Sequence, residues 1–473
     1  MLAAVEKREA YANLLLPRLL TERKVTGRDA ALATELAYGT LRGLGTYDAV
    51  LAACSDRPLG KLDPPVLQVL RLGAHQLLAT RVGSHAAVAT SVDLAKAVVG
   101  PRVSGYVNAV LRRVATRDAG QWLGIVAPDR DADPDGYLAV RHSYPRWIVG
   151  AYRDALGETA PGELEAALAA GNERPRVTMA AFPGGAAREE IMPDDAADGR
   201  WSPYAFTLAG GDPSKLIAAG GAAVQDEASQ LAAIALSRVP LDGPDRTWLD
   251  MCAGPGGKAR MLYGLAGATA RSEERGAAGG ARLVAADLYP HRAALVKAAL
   301  NTTERTVVAA SAPASSERTV VAAASPPASS AGAVLVTDGQ RPPWLDGGFD
   351  RVLVDVPCSG LGALRRRPEA RWRKSESDLA GLGELQRSLL RSALAAARPG
   401  GVVAYVTCSP VLAETADVVN AVVGGSGGGA EILDAPAVLG EVPGVRSPDP
   451  RFAQFWPHRH GTDAIFVALL RRL

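Results

Sequence analysis

The run TWLDMCAGPGGKAR, residues 247–260, reads as a short apolar strand, a glycine-rich turn and the start of a helix that continues through MLYGLAG. Glycines in such a turn let the backbone close on a ligand, and the N–H groups at a helix start face a carboxylate or phosphate. The run lacks the GxxxxGK[ST] spacing of a phosphate-binding P-loop. Taken alone it is equally a plain strand-to-helix connection. Asp287 changes the balance, because it ends the next strand-like run, ARLVAAD, where a carboxylate can accept both hydroxyls of a bound ribose. Asp338 follows AVLVTD in the same way, placed to reach an adenine or its sugar, with a loop-capping Asp as the equally simple alternative.

Working outward, RTWLDM, ARLVAAD, AVLVTD, RVLVDV and GVVAYVT alternate with helical stretches from about Arg141 onward, the pattern of a doubly wound, Rossmann-like α/β sheet. RVLVDVPCSGLG sets Asp355 and Cys358 at the carboxyl end of one strand, and GGVVAYVTCSP sets Cys408 at the end of another. Open α/β sheets place ligands and catalytic groups there, so two thiols and a carboxylate are expected on one rim. For Cys358 a buried structural thiol is the competing reading. The other cysteines are Cys54 and Cys252, and four such scattered residues make neither a disulfide framework nor a zinc site. Reduced thiols and no metal are expected.

A chain of 473 residues is too long for one ordinary core. Residues 1–135 carry apolar residues at spacings of three and four in YANLLLPRLL, AALATELAYGTLRGLGTYDAVLAAC and HAAVATSVDLAKAVV, which predicts an all-helical bundle. Residues 121–136, ending in PDRDADPDG, read as a linker, 141–220 as a small mixed α+β region, and 221–473 as the α/β domain. ERTVVAASAPASS from Glu304 is nearly repeated from Glu317, so 302–331 reads as a flexible low-complexity insertion, with a smaller one at 271–280. No apolar stretch is long enough to span a membrane and no signal peptide opens the chain, so a cytoplasmic protein without membrane contact is expected. A net charge of +2 excludes a polycation that grips nucleic acid without selectivity. Any RNA contact must come from a local patch, and RRRPEARWRK at 365–374 is the candidate, with Arg365, Arg366, Arg367, Arg371 and Arg373 around the stacking side chain of Trp372. A solvated charged loop is the plainer reading of that segment alone.

From residue 247 onward the chain resembles the RNA cytosine-C5 methyltransferase family, whose motifs stand here as CAGPGGK, DVPCSG and VTCS in the family's order. AVQDEASQ at 223–230, LRRRPEARWR and HGTDAIFVALLRR are similar to the family's pattern, and the paired PC and TC cysteines are specific to it. The front segment, with ELAYGTLRG, SHAAVATSVDLAK and SGYVNAVLRRV, looks like the NusB-type RNA-binding domain attached to bacterial 16S rRNA methyltransferases of the RsmB or Sun type. The resemblance implies S-adenosylmethionine held against Cys252, Ala253, Gly254, Pro255, Gly256, Gly257 and Lys258, with Asp287 on the ribose, Asp338 on the adenine and Asp355 nearby. It implies Cys408 as a nucleophile that adds to cytosine carbon 6, Asp355 as partner of ring N3 and the exocyclic amine, Cys358 assisting release, and Lys258 orienting the base or Asp355. Expected partners are RNA, 16S rRNA first, and the chain is expected to be a monomer. The chain departs from the family's commoner CAAPGGKT at Gly254 and Ala259, and RPRVTMAAFP lacks an RVN-like ending. The rivals are a methyltransferase for DNA, with Cys358 as nucleophile, an amino-group methyltransferase, which normally carries an Asn or Asp-Pro-Pro-aromatic motif in place of DVPCSG, a methyltransferase for another RNA such as tRNA, and a non-catalytic RNA-binding or assembly factor on the same fold.

Overall fold

The computed structural model describes residues 1–7, 10–158, 162–273, 281–300, 306–308, 332–425 and 429–473. The chain divides into two compact units, one made of Met1–Asp154, Thr159–Arg174 and Ala363–Ser375, the other of Ala155–Glu158, Pro175–Gly362 and Glu376–Leu473.

The first unit is helical. Its apolar runs fold as Gly27–Arg42, Leu44–Cys54, Pro64–Ala79, Ser84–Val98 and Ser104–Val114. Their apolar stripes meet in a core that includes Val50, Leu51, Leu70, Ala74, Val107 and Leu111. The linker expected at 121–136 does not form. Asp118 opens the helix Ala119–Val126 with a capping box to Gln121, and Trp122 is buried with its Nε1 donating to Val114 O at 2.8 Å. Asp133 caps the next helix, Pro134–His142. Asp133 of PDRDADPDG thus starts a helix instead of separating domains, and the unit runs on past 135.

The second unit carries a four-stranded antiparallel sheet, in the order Ala197–Asp198, Ala205–Thr207, Thr178–Ala181, Ala222–Val224. Its main sheet is built from β1 (Thr247–Asp250), β2 (Arg282–Asp287), β3 (Thr306–Val308), β4 (Gly332–Val336), β5 (Phe349–Asp355), β6 (Ala397–Thr407), β7 (Ala430–Leu433), β8 (Ala453–Gln454) and β9 (Phe466–Arg472). The order is β7-β9-β6-β5-β1-β2-β4-β3, with β8 beside β9. Neighbours from β6 through β3 are parallel, whereas β9 runs antiparallel to β6, β7 and β8. Side chains alternate between two apolar layers. Trp248, Leu353, Val402, Ala404 and Leu469 face one, and Leu249, Val352, Val354, Tyr405 and Phe466 the other. Both faces of these strands are therefore covered, which is why their sequences read as nearly unbroken apolar runs.

Two expected insertions need revision. Residues 274–280, 301–305 and 309–331 lie outside the described residues. The stretch 302–331 is not wholly an insertion, because Thr306–Val308 of the first repeat copy pairs with β4 at the sheet edge. The smaller run begins inside the helix Gly257–Glu273.

Candidate active site

Because β1, β2, β4, β5 and β6 are parallel, their carboxyl ends share one edge, and the loops that leave them meet there. The turn after β1 is tied to β2 by Ala253 N donating to Ala286 O at 2.8 Å. Gly254 N donates to Asp287 Oδ2 at 2.9 Å, and Tyr289 N to Asp287 Oδ1 at 3.0 Å. Gly256 has φ of +117°, and a Cβ there would stand 2.7 Å from Ala299 Cβ, so no other residue fits without displacing the helix beneath it. Cys252 and Gly257 are half-buried beside the exposed Pro255. Asp338 is half-buried and its Oδ1 accepts from Gln340 N at 2.9 Å, the loop cap that its sequence position allowed. Thr337 N donates to Asp287 O at 3.0 Å, so the ends of β2 and β4 are laced together. Two carboxylates at adjacent strand ends, a glycine turn drawn onto one of them, and the half-exposed apolar Leu288 beside it (52% exposed) form a set of acceptors and apolar surface that suits a nucleoside.

On the other side of β1, Lys258 Nζ lies 2.8 Å from Asp355 Oδ2. Burial pulls the Lys258 ammonium down, but Asp355, Cys408 and Asp250 together outweigh it and hold the group above its ordinary range. Cys358 Sγ and Cys408 Sγ are 3.2 Å apart. Their hydrogen bond divides the pair: it drives Cys408 below the usual thiol range, with Lys258 adding to the effect against burial, and drives Cys358 well above it. Cys252 is pushed up by burial and by the acids around it. Of the three thiols near this edge, Cys408 alone is biased toward thiolate, the nucleophilic form.

Two acidic residues that the sequence did not single out sit among these groups. Asp250, the last residue of β1, is fully buried, neither of its oxygens has a well-aligned hydrogen bond, and burial together with Asp355 pushes it up to about 8. Its place at a strand end within the quoted run was a readable signal. Glu414, also fully buried, had none beyond its nearness to VTCS. The backbone closes tightly here as well: Gly362 N donates to Cys408 O at 2.8 Å, Ala464 N to Gly362 O at 2.9 Å, and a Cβ on Gly362 would overlap Ala464 O.

The basic strip differs from expectation and belongs to the helical unit. Arg371 is entirely buried, with Nη1 donating to Ser143 O at 2.9 Å and Asn172 Oδ1 at 2.8 Å and its guanidinium 4.0 Å from the Tyr144 ring centroid. Arg373 donates to Val5 O and Ala10 O, Glu369 Oε1 accepts from Ala12 N, and the Trp372 ring packs on Gly45. Arg365 is buried, Arg366 half-buried and Arg367 exposed. The segment works as an internal clip, and of the five arginines only Arg367 is exposed, with its guanidinium 5.7 Å from the Tyr11 ring centroid. Composition could not separate the two cases, since a buried guanidinium needs the same residue type as a phosphate contact.

The family model described as 16S rRNA methyltransferase RsmB/F matches residues 240–471, and the NusB family model matches residues 1–116. A putative methyltransferase of Mycobacterium tuberculosis is 48% identical over 100% of this chain and 95% of its own length. The probable ribosomal RNA small subunit methyltransferase B of Bacillus subtilis is 30% identical over 100% and 97%, and the ribosomal RNA small subunit methyltransferase B of Pseudomonas syringae is 31% identical over 100% and 95%. The crystal structure of PH0851 shares the fold, with a TM-score of 0.72 and 20% identity over 96% of this chain and 93% of that one. Among the described residues no helix is long and apolar enough to cross a membrane.

Proposed function

The chain belongs to the RsmB/F family of S-adenosylmethionine-dependent RNA methyltransferases, and on that premise we propose that it methylates carbon 5 of a cytosine in 16S rRNA through a covalent adduct at Cys408. The observation that carries the reading is the pair of thiols 3.2 Å apart, one biased to thiolate and the other to thiol, on the same strand-end rim as the Lys258–Asp355 ion pair. The names of the relatives from Bacillus subtilis and Pseudomonas syringae support small-subunit rRNA as the substrate.

Cytosine carbon 5 is a poor nucleophile, so the ring must first be activated. The Cys408 thiolate adds to carbon 6, and the ring electron pair moves toward carbon 5 and N3. A proton taken up at N3 from water neutralises the charge gathering there and returns to water when the adduct collapses, while Asp355, oriented by Lys258, accepts from that N3–H and from the exocyclic amine. S-adenosylmethionine, when bound, supplies an electrophilic methyl group. Asp287 and Asp338 hold its nucleoside. Carbon 5 then carries both a methyl group and its original proton. Loss of that proton to a base restores the carbon 5–carbon 6 double bond and expels the Cys408 sulfur as thiolate, and Cys358, in contact with that sulfur, offers its proton to the departing charge. The cytosine must leave its stack to reach the rim, at a cost of roughly a few kcal/mol that is smallest in a loop.

The test is transfer of labelled methyl from S-adenosylmethionine to unmodified 16S rRNA, with product nucleosides resolved. Wild type is expected to place label in 5-methylcytidine, Cys408→Ser to lose both label and adduct, and Cys358→Ser to accumulate an RNA adduct that survives denaturation. An adduct lost with Cys358→Ser but kept with Cys408→Ser reverses the roles. No label in any RNA from the wild type favours an assembly factor.

A further inference from the structure

Glu414 is wholly buried and acceptor-rich, and among the described residues it makes a set of contacts that none of the groups assigned above makes. Its Oε1 accepts from Ser359 N at 2.7 Å and from Gln386 Nε2 at 3.2 Å. Its Oε2 accepts from Ser359 Oγ at 2.5 Å and Ser409 Oγ at 2.6 Å. Ser359 directly follows Cys358 and Ser409 directly follows Cys408, so one carboxylate grips both cysteine loops at the neighbouring residue. Gln386 also donates to Pro357 O at 2.9 Å, on the near side of Cys358. The Glu414 backbone is anchored in turn, since Tyr405 of β6 donates its hydroxyl to Glu414 O at 2.7 Å.

Burying a carboxylate is costly, and an apolar side chain of similar size would fill this space at lower cost to stability. What an apolar side chain cannot do is receive four donors, three from the two cysteine loops and one from Gln386. We propose that Glu414 is a positioning residue that sets the distance between the nucleophile Cys408 and the release thiol Cys358. The proposal rests on the roles given to these cysteines above. β5 and β6 bring the two loops to the same edge, but strand pairing ends at Asp355 and Val406, before either cysteine. Beyond the last rung, Val356 N donates to Val406 O at 3.0 Å, Ser359 Oγ meets Ser409 Oγ at 3.2 Å and Gly362 N donates to Cys408 O, and Glu414 holds both of those serines at once. A misplacement of about 1 Å in a reacting pair costs on the order of 100-fold in rate, so a clamp of this kind bears directly on turnover.

The experiment compares full-length wild type, Glu414→Ala and Glu414→Gln. Glutamine keeps the shape, since its carbonyl can accept from Ser359 N and Gln386 while its amide donates to the two serine hydroxyls. Three quantities are read: the single-turnover methylation rate, the affinities for S-adenosylmethionine and RNA, and the rate at which diamide oxidises the Cys358–Cys408 pair to a disulfide, followed by peptide mass. Glu414→Ala is expected to lose roughly 100-fold in single-turnover rate and about 10-fold in disulfide formation, with both affinities within about 3-fold of wild type. Glu414→Gln is expected to recover both rates to within about 5-fold. Disulfide formation unchanged in Glu414→Ala overturns the proposal, whatever the methylation rate does. If Glu414→Ala does not fold, Ser409→Ala and Ser359→Ala carry the test, and thiol coupling at the wild-type rate in both overturns it. The cysteine roles are checked separately: methylation surviving in Cys408→Ser sinks those roles, while the diamide measurement still reports on the clamp.

Discussion

Replacing Arg371 by Met separates a structural arginine from an RNA-binding one. The guanidinium lies entirely inside the helical unit, where Nη1 bonds Ser143 O and Asn172 Oδ1 and the plane stacks on Tyr144, while Nε and Nη2 have no hydrogen-bond partner. A hydrogen bond from a charged donor contributes about 1.5–3 kcal/mol, and a desolvated cation–π contact about 2 kcal/mol. Methionine returns part of that, because it fills much of the volume and removes the cost of burying a charge with two idle donors. The balance is a loss of about 3 kcal/mol, which for a unit of this size lowers the melting temperature by roughly 6–12 °C. A phosphate-binding arginine behaves oppositely: its loss leaves stability alone and flattens the salt dependence of RNA affinity by about one unit of slope. Thermal unfolding followed by circular dichroism, with RNA affinity titrated at several salt concentrations, reads both. An unchanged melting temperature with a shallower salt slope in Arg371→Met would refute the clip and restore the strip as an RNA contact.

Two further expectations concern the rim. Asp250 is pushed up to about 8 from 3.8, so between those values the unfolded chain releases a proton that the folded chain keeps, and this group makes stability fall as pH rises through that window. Asp250→Asn removes the effect, and its melting temperature should gain on that of wild type between pH 5 and 8 and stay parallel above; a constant offset across the range would show that Asp250 ionises normally. Cys358 depresses Cys408 by hydrogen bonding, so Cys358→Ala should move the pH midpoint for iodoacetamide alkylation of Cys408 upward, read by peptide mass, and an unmoved midpoint would assign the depression to Lys258 alone.

The strands were legible because burial on both faces leaves a plain record in composition. RVLVDV and GVVAYVT became β5 and β6, with their chemistry-bearing residues at the ends that parallel pairing brings together. β7 and β9 were not foreseen, since Ala430–Leu433 gains its place only by pairing across the sheet edge with a strand far along the chain. The 121–136 stretch misled for a local reason: Asp133 within it is a good cap, and the residues that cap helices are also the residues that fill linkers. Asp287, Asp355, Cys358 and Cys408 could be named from sequence because each ends or follows a readable strand, and Lys258 because the family resemblance implies it. Glu414 could not, because its significance lies in two serines it meets only after the β5 and β6 loops have folded against each other.

The charges at this edge explain why a second thiol is built beside the first. Asp250, Asp287 and Asp355 all crowd it, and each raises the cost of adding another negative charge, as the upward displacement of Cys252 records. Lys258 offsets part of this, but it is already bound to Asp355 at 2.8 Å. For Cys408 the hydrogen bond from Cys358 acts more strongly than Lys258, opposing the burial that would otherwise keep the sulfur protonated. A thiol held 3.2 Å away can stabilise the thiolate before attack and offer its proton to the same sulfur when it leaves, whereas the Lys258 ammonium already donates to Asp355. The separation of the two sulfurs is therefore the quantity that the surrounding structure has to control, and the fully buried Glu414, bonded to the residue after each cysteine, stands where that control is exerted.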